Sequence, residues 1–195
     1  MNLKKLRDFV IDMTALANTA APSLPMMEAA RPLVKRLIAV DDWLPEAAAV
    51  PHPEYYRQYL LHCDPAERFS LVSFVWGPGQ ITPIHDHTVW GLIGMLRGAE
   101  ISTAFSRLTD GSLVQRANLR LEAGEIDGVS PETGDIHQVR NAFDDRVSIS
   151  IHLYGGNIGS VKRHVFGADG GQKSFISGYS SDSVPNLWDR SREAA

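Results

Sequence analysis

The sequence predicts an α+β fold that is mainly β, a jelly-roll or double-sheet barrel with helices from the N-terminal part packed on its outside. Three observations carry this reading. Apolar residues recur at helical spacing up to about residue 50, from Phe69 onward apolar and polar residues alternate in short runs, and Gly, Pro, Asn and Asp punctuate those runs as turns would.

Leu3, Leu6, Phe9, Val10 and Met13 recur every three or four positions and predict an amphipathic helix to about Asn18. Ala20-Ala21-Pro22-Ser23 reads as a break, with Ser23 capping a second helix from about Leu24 to Ala39 that turns Met27, Leu33, Val34 and Leu37 inward. A third, shorter helix is expected over Trp43 to Val50. After Pro51 and Pro53 the segment EYYRQYLLH reads either as a last helix or as the entry to a strand. Phe69, Leu71, Ser73 and Val75 then alternate with Ser70, Val72, Phe74 and Trp76 until Gly77-Pro78-Gly79 ends the strand. Further strands are expected over His85 to Trp90, Leu92 to Leu96, Glu100 to Arg107, Leu113 to Leu121, Glu125 to Val129, His137 to Arg140 and Val147 to Tyr154. Gly167 to Lys173 reads as a surface loop, and the last half dozen residues are expected to fray. With no repeat, low-complexity stretch or linker, residues 1–195 read as a single domain: 1–60 mainly helical, 69–190 the barrel.

Composition narrows the function. The chain has 195 residues, 44% hydrophobic and 22% charged, enough to bury a real core. A net charge of −4 without a long Lys/Arg cluster argues against nucleic acid and against an anionic membrane surface as partners. No apolar run approaches the roughly 20 residues that span a bilayer, and the start MNLKKLRDFVIDM is unlike a signal peptide, so a cytoplasmic location is expected. The single cysteine, Cys63, rules out an intramolecular disulfide and a multi-thiolate zinc site, so a metal here must be held by nitrogen and oxygen. With no neighbouring base, Cys63 reads as a small buried hydrophobe. Nothing in the sequence bears on the number of subunits.

Such a metal has an evident candidate site. In a strand, His85 and His87 of PIHDHTVW point to one side and Asp86 to the other, so two imidazoles can grip one ion. His137, after the turn residues Pro131 and Gly134, can supply a third. Gly79, His85, His87, Gly91 and Gly98 fall at the spacing of the first cupin motif, with Gly91 in place of its usual glutamate. Gly124, Pro131, Gly134, His137 and Asn141 resemble the second motif, stretched by one residue at two points. Three neutral imidazoles leave a divalent ion its full charge and open positions, a site suited to an anionic ligand. Zinc, activating a water for hydrolysis, is the chemical rival. In VSISIHLY, Ser148, Ser150, His152 and Tyr154 share one strand face, either a hydrogen-bonded chain aimed into a barrel or a polar face turned to water.

Over roughly Pro53 to Trp188 the chain resembles the cysteine dioxygenase type I family, the cupin thiol dioxygenases. That resemblance implies an iron(II) held by His85, His87 and His137, a Ser150, His152 and Tyr154 series in the active site, and addition of both atoms of dioxygen to a substrate thiol to give a sulfinate. The partners it implies are a small thiol carboxylate and dioxygen. In one branch of the family a cysteine cross-links to the active-site tyrosine; Gly91 stands at that position here, so no cross-link is expected. The resemblance further implies one of two carboxylate-binding arrangements, an early arginine or a glutamine with a later arginine. Arg57 and Gln58 are adjacent, but YRQYLLH together with Arg163 in VKRHVF looks more like 3-mercaptopropionate dioxygenases, which selects Gln58 and Arg163. Oxidation of 3-mercaptopropionate to 3-sulfinopropionate is therefore expected, with cysteine oxidation to cysteine sulfinate as the alternative. Readings from other classes are a non-catalytic cupin that binds a metal or small molecule, and a zinc or nickel cupin hydrolase or isomerase.

Overall fold

The computed structural model describes residues 3–19, 23–167, 169–181 and 183–188; the expected fraying of the final residues falls outside them. Two helices open this region. The first, α1, runs Lys4–Ala17 and buries Leu6, Phe9, Val10 and Met13 at three- and four-residue spacing, as the apolar stripe requires. Burial of each of these side chains contributes roughly 1.5–3 kcal/mol. The second, α2, spans Leu24–Ile38. Ser23 stands at its N-cap in extended backbone, but its hydroxyl makes no capping bond. Pro32 sits inside this helix and is exposed, so it occupies the face turned away from the core. Among the described residues no helix is long and apolar enough to cross a membrane.

The third helix expected over Trp43 to Val50 reduces to one 3-10 turn, Glu46–Ala48. Pro45 and Pro51 bracket the segment, which is too short for a cooperative helix. Its anchors are tertiary instead. Trp43 donates its indole N–H to the Leu37 carbonyl at 2.8 Å, and the Ala48 and Val50 carbonyls accept from Ser73 Oγ and the Tyr59 hydroxyl.

Eleven strands among the described residues form two antiparallel sheets, the jelly-roll of a cupin. The first orders β1 (Arg57–Cys63), β2 (Ser70–Trp76), β9 (Ser148–Tyr154), β4 (Gly91–Arg97) and β7 (Ile126–Val129). The second orders β11 (Gln172–Phe175), β10 (Arg163–Phe166), β3 (Ile84–His85), β8 (His137–Asn141), β5 (Ala99–Arg107) and β6 (Leu113–Glu122). EYYRQYLLH is thus resolved as a strand, and Gly167 to Lys173 narrows to the turn of the β10–β11 hairpin, with Gly167 N–H bonded to Gly171 O.

The central strands of the first sheet, β2, β9 and β4, are buried on both faces, for two different reasons. Leu71, Val75, Leu92, Ile149, Ile151 and Leu153 meet the helices in one apolar cluster. Gly94 lets α2 lie close there, since an added Cβ would come within 3.0 Å of Val34 and Ile38. The opposite residues, Val72, Phe74, Trp76 and Tyr154, face the barrel interior. The interior face of the second sheet carries His85, His137 and Val139, paired across β3, β8 and β5.

Two local expectations need correction. The strand expected from His85 to Trp90 ends at His85. Beyond it the His87 and Thr88 amides turn to the Asp135 carboxylate, and Thr88 enters the left-handed region at φ 59°, which bends the chain away from the ladder. Cys63, expected to be buried, is half-exposed; burial is still the main reason its thiol pKa lies above the ordinary value.

Candidate active site

Pairing of β3 with β8 sets His85 directly opposite His137, and the bend after His85 brings His87 beside both. The three ring centroids lie 4.9, 4.8 and 4.8 Å apart, and one nitrogen from each falls within 4.8 Å of the others. Asp86 points away, as strand alternation predicts, and accepts from the His164 ring and amide.

The outer nitrogens explain why this cluster suits a metal. His85 Nδ1 lies 3.0 Å from the Pro83 carbonyl, His87 Nδ1 2.9 Å from the Asp135 carboxylate and His137 Nδ1 3.1 Å from Ser102 Oγ. Carbonyl and carboxylate can only accept, so the proton belongs on Nδ1, and a serine hydroxyl fits the same tautomer. All three Nε2 lone pairs are then left for an ion. Burial pushes the pKa of His85 and of His137 well down, helped by the neighbouring imidazoles, so these rings are neutral donors at pH 7. Burial alone would push Asp135 up; the His87 ring and the two amides it accepts from hold it below the ordinary carboxylate value. Three neutral nitrogens without a carboxylate or thiolate suit a first-row transition metal and not calcium or magnesium.

Gly91, standing where the motif has glutamate, lies opposite Tyr154, and a Cβ added there would approach the tyrosine ring to 3.0 Å. The room a larger residue would need is filled by the phenol.

Opposite the cluster, β9 turns its polar face inward, which settles the choice between barrel and water. Ser150 Oγ lies 2.9 Å from His152 Nε2, and His152 Nδ1 lies 2.8 Å from the Tyr154 hydroxyl. Trp76 donates its indole N–H to Ser150 Oγ at 3.1 Å, and Phe74 stacks on the His152 ring at 4.1 Å. Burial, with His87 and His85 nearby, drives the His152 pKa well down, and burial pushes the Tyr154 phenol up. Both groups are therefore neutral at pH 7. The Tyr154 ring stacks 5.7 Å from His87, which links the chain to the histidine cluster.

Arg163 is 3% exposed, against the surface position usual for an arginine. It shares a strand face with Val165, which pairs with His85, so its guanidinium belongs to the same interior. One nitrogen donates to Ser177 Oγ at 2.6 Å, the carbon lies 4.8 Å from the Phe175 ring, and Nε has no partner. No carboxylate among the described residues pairs with it.

Adjacent in sequence, Arg57 and Gln58 part ways in the strand. Gln58 lies opposite Phe74, which itself pairs with Ser150, so it is on the interior side; Arg57 lies opposite Val75 on the helix side, over the Tyr55 ring. Gln58 is not bonded to the other candidates, because its amide nitrogen donates to the Gly178 carbonyl at 2.8 Å.

Sequence reasoning missed Asp135, Ser102 and Glu100. Glu100 is 1% exposed, with Oε2 unpartnered, and its carboxyl faces the Ser150 hydroxyl. Strand alternation through EISTAFSR puts 100, 102 and 104 on one face, but both faces of that stretch carry polar residues, so the pattern alone did not say which turned inward.

The sequence pattern that defines the cysteine dioxygenase type I family matches residues 46–165, well over half of the chain. Solved structures similar to it include a protein from Thermus thermophilus (16% identity, 57% of this chain and 92% of that one, TM-score 0.45). An RmlC-like cupin protein of Desulfovibrio desulfuricans matches at 22% identity over 55% of this chain and 89% of its own, with a TM-score of 0.42. An oxalate oxidase in complex with the substrate analogue glycolate matches at 18% identity over 61% and 60%, with a TM-score of 0.44.

Proposed function

We propose, from the premise that the chain belongs to the cysteine dioxygenase type I family, that it is an iron(II)-dependent thiol dioxygenase. Its substrate is a small thiol carboxylate, 3-mercaptopropionate before cysteine, which it oxidises to the sulfinate with dioxygen. Residues 1–195 act as one cupin domain, in the cytoplasm. His85, His87 and His137 would hold the ion through Nε2. Iron(II) bound there supplies open positions for a thiolate and dioxygen and lowers the thiol's pKa.

The remaining steps belong to the chain. Arg163 receives the substrate carboxylate. The observation that carries this reading is a buried guanidinium with no protein carboxylate to neutralise it, an arrangement that is costly unless an anion arrives. Its charge already acts on the Tyr154 phenol and on His85, so an anion placed on it lies within reach of both. Gln58, on the interior face, adds a neutral hydrogen bond. Tyr154, held by His152, directs its hydroxyl beside the histidine cluster and orients what binds there, while Phe74, Trp76 and Val139 exclude water.

Two measurements on the purified protein test this function together: metal analysis without added metal, and oxygen uptake with 3-mercaptopropionate and cysteine. Iron with thiol-dependent uptake is expected; zinc or nickel without uptake would overturn the reading. Arg163→Lys replaces a bidentate fork by a point charge and should lower kcat/KM by on the order of 2–5 kcal/mol. Arg57→Ala, on the helix side, is the control. Carboxylate-dependent activity lost in Arg57→Ala and kept in Arg163→Lys would reverse the assignment.

A further inference from the structure

Glu100 is a buried carboxyl that the proposed chemistry does not use. It enters the barrel from β5 and meets the Ser150 hydroxyl, the end of the Ser150, His152 and Tyr154 chain farthest from the phenol. We propose that Glu100 is the fourth member of this chain and a positioning residue that sets the direction in which its hydrogen bonds run. The inference rests on the reading of Tyr154 as the group that orients ligands at the histidine cluster.

Counting donors shows why direction matters. Ser150 Oγ has one proton to give and two lone pairs, and Trp76 always fills one lone pair. With Glu100 ionised, Ser150 donates to the carboxylate, His152 donates from Nε2 to Ser150, and Tyr154 donates to His152 Nδ1. The phenol's only proton is then turned away from the cluster. With Glu100 protonated, its O–H donates to Ser150, Ser150 donates to Nε2, and His152 donates from Nδ1 to the tyrosine oxygen. The phenolic proton is now released toward the cluster. One proton added at Glu100 from solvent separates the two states, and Ser150 Oγ and both ring nitrogens of His152 are satisfied in both.

The groups that face Glu100 make such a change accessible near neutrality. From β9 come Ser150 and the neutral Tyr154 phenol, from β7 comes Asp127, from β8 the uncharged Asn141 and from β6 the apolar Leu121. Burial, aided by Asp127 and opposed by the Ser150 hydrogen bond, brings the Glu100 pKa up to about 7.

The test reads the tautomer of His152 directly, on metal-free protein and without turnover. The chain is labelled with nitrogen-15 in histidine, His152 is assigned by its loss in a His152→Gln variant, and the ring shifts are followed from about pH 5 to about pH 9. The expected result is a switch from Nδ1–H to Nε2–H as pH rises through neutrality in the parent, and a fixed tautomer in Glu100→Gln. On loaded enzyme, the loss of kcat on the alkaline side of neutrality should be displaced in Glu100→Gln. A parent tautomer that stays constant across this range would overturn the inference, as it would if the proton sat on the unpartnered Oε2 and left Ser150 donating as before. A switch that persists unchanged in Glu100→Gln would also overturn it. Because the tautomer is read without substrate, a chain without dioxygenase activity would fail the functional reading while leaving this result standing.

Discussion

Two histidine environments face each other across the barrel, and they differ in what occupies the second ring nitrogen. On the wall of β3 and β8, His85, His87 and His137 each give Nδ1 to one oxygen and keep Nε2 free. On the wall of β9, His152 has a hydroxyl on both nitrogens and nothing left for an ion. Burial lowers the pKa of His85, His137 and His152 alike, so desolvation does not distinguish the walls. Partner geometry does: an oxygen on one side makes a ligand, and oxygens on both sides make a conduit for hydrogen bonds.

The sharpest way to break this contrast is to remove ligands from one wall and hydroxyls from the other. His85→Ala, His87→Ala and His137→Ala should each lose most of the bound metal and nearly all activity, since three protein ligands leave none to spare. Ser150→Ala should keep the metal. Full metal content in all three histidine variants, measured on purified protein, would abolish the distinction.

Glu100, which enters from β5 and faces Ser150, adds a stability signature to the hydrogen-bonded chain on β9. Its carboxyl titrates at about 7 in the folded chain against 4.5 ordinarily. Below about pH 4.5 folded and unfolded chains are both protonated there, and this group costs nothing. Between the two values the folded chain binds more protons, so stability falls as pH rises, by about 3 kcal/mol in all, and the deficit persists above 7. His152 works with the opposite sign, being neutral when folded and losing stability as pH falls below 6.5. Urea melts of Glu100→Gln and parent should therefore diverge by about 3 kcal/mol in favour of the variant between about pH 4 and about pH 8. A pH-independent difference would mean that the carboxyl is not desolvated.

Tyr154→Phe separates holding the ion from using it. The ring keeps its place against His87 and Gly91 while the hydroxyl is lost. Metal content should match the parent, and turnover at saturating thiol should fall by on the order of 1–3 kcal/mol in the barrier. Parent-like turnover would remove the phenol from the mechanism.

How far the sequence disclosed these walls follows from how local each signal is. His85, His87 and His137 stood out because turn glycines and strand alternation are short-range, and β9 declared its polar face through period two. Alternation could not say whether that face met water or the interior; only its pairing with β2 and β4 decides that. The third helix failed because Pro45 and Pro51 leave too short a segment between them, and the Ala48 carbonyl is held by Ser73 of β2, 25 residues on. Arg163 reads in sequence like any surface arginine in VKRHVF, and its burial depends on Phe175 and Ser177 closing over it. Asp135 and Ser102 were invisible because an outer-nitrogen partner has no fixed spacing from its histidine; Ser102 lies 35 residues from His137.

Those outer partners give the finest test, because they differ in charge while serving the same role. Asp135 accepts from His87 Nδ1 at 2.9 Å and from the His87 and Thr88 amides, so it fixes both the ring and the bend that presents it. Ser102 offers His137 one neutral hydroxyl at 3.1 Å. A charged acceptor raises ligand basicity more than a neutral one. Asp135→Asn should therefore weaken metal binding by about 10–100-fold. Ser102→Ala should cost about 1 kcal/mol, roughly fivefold. Competition titration against a chelator measures both constants on the same preparation. If Ser102→Ala weakened the metal as much as Asp135→Asn, the charge on the outer partner would be irrelevant, and the two walls would differ in geometry alone.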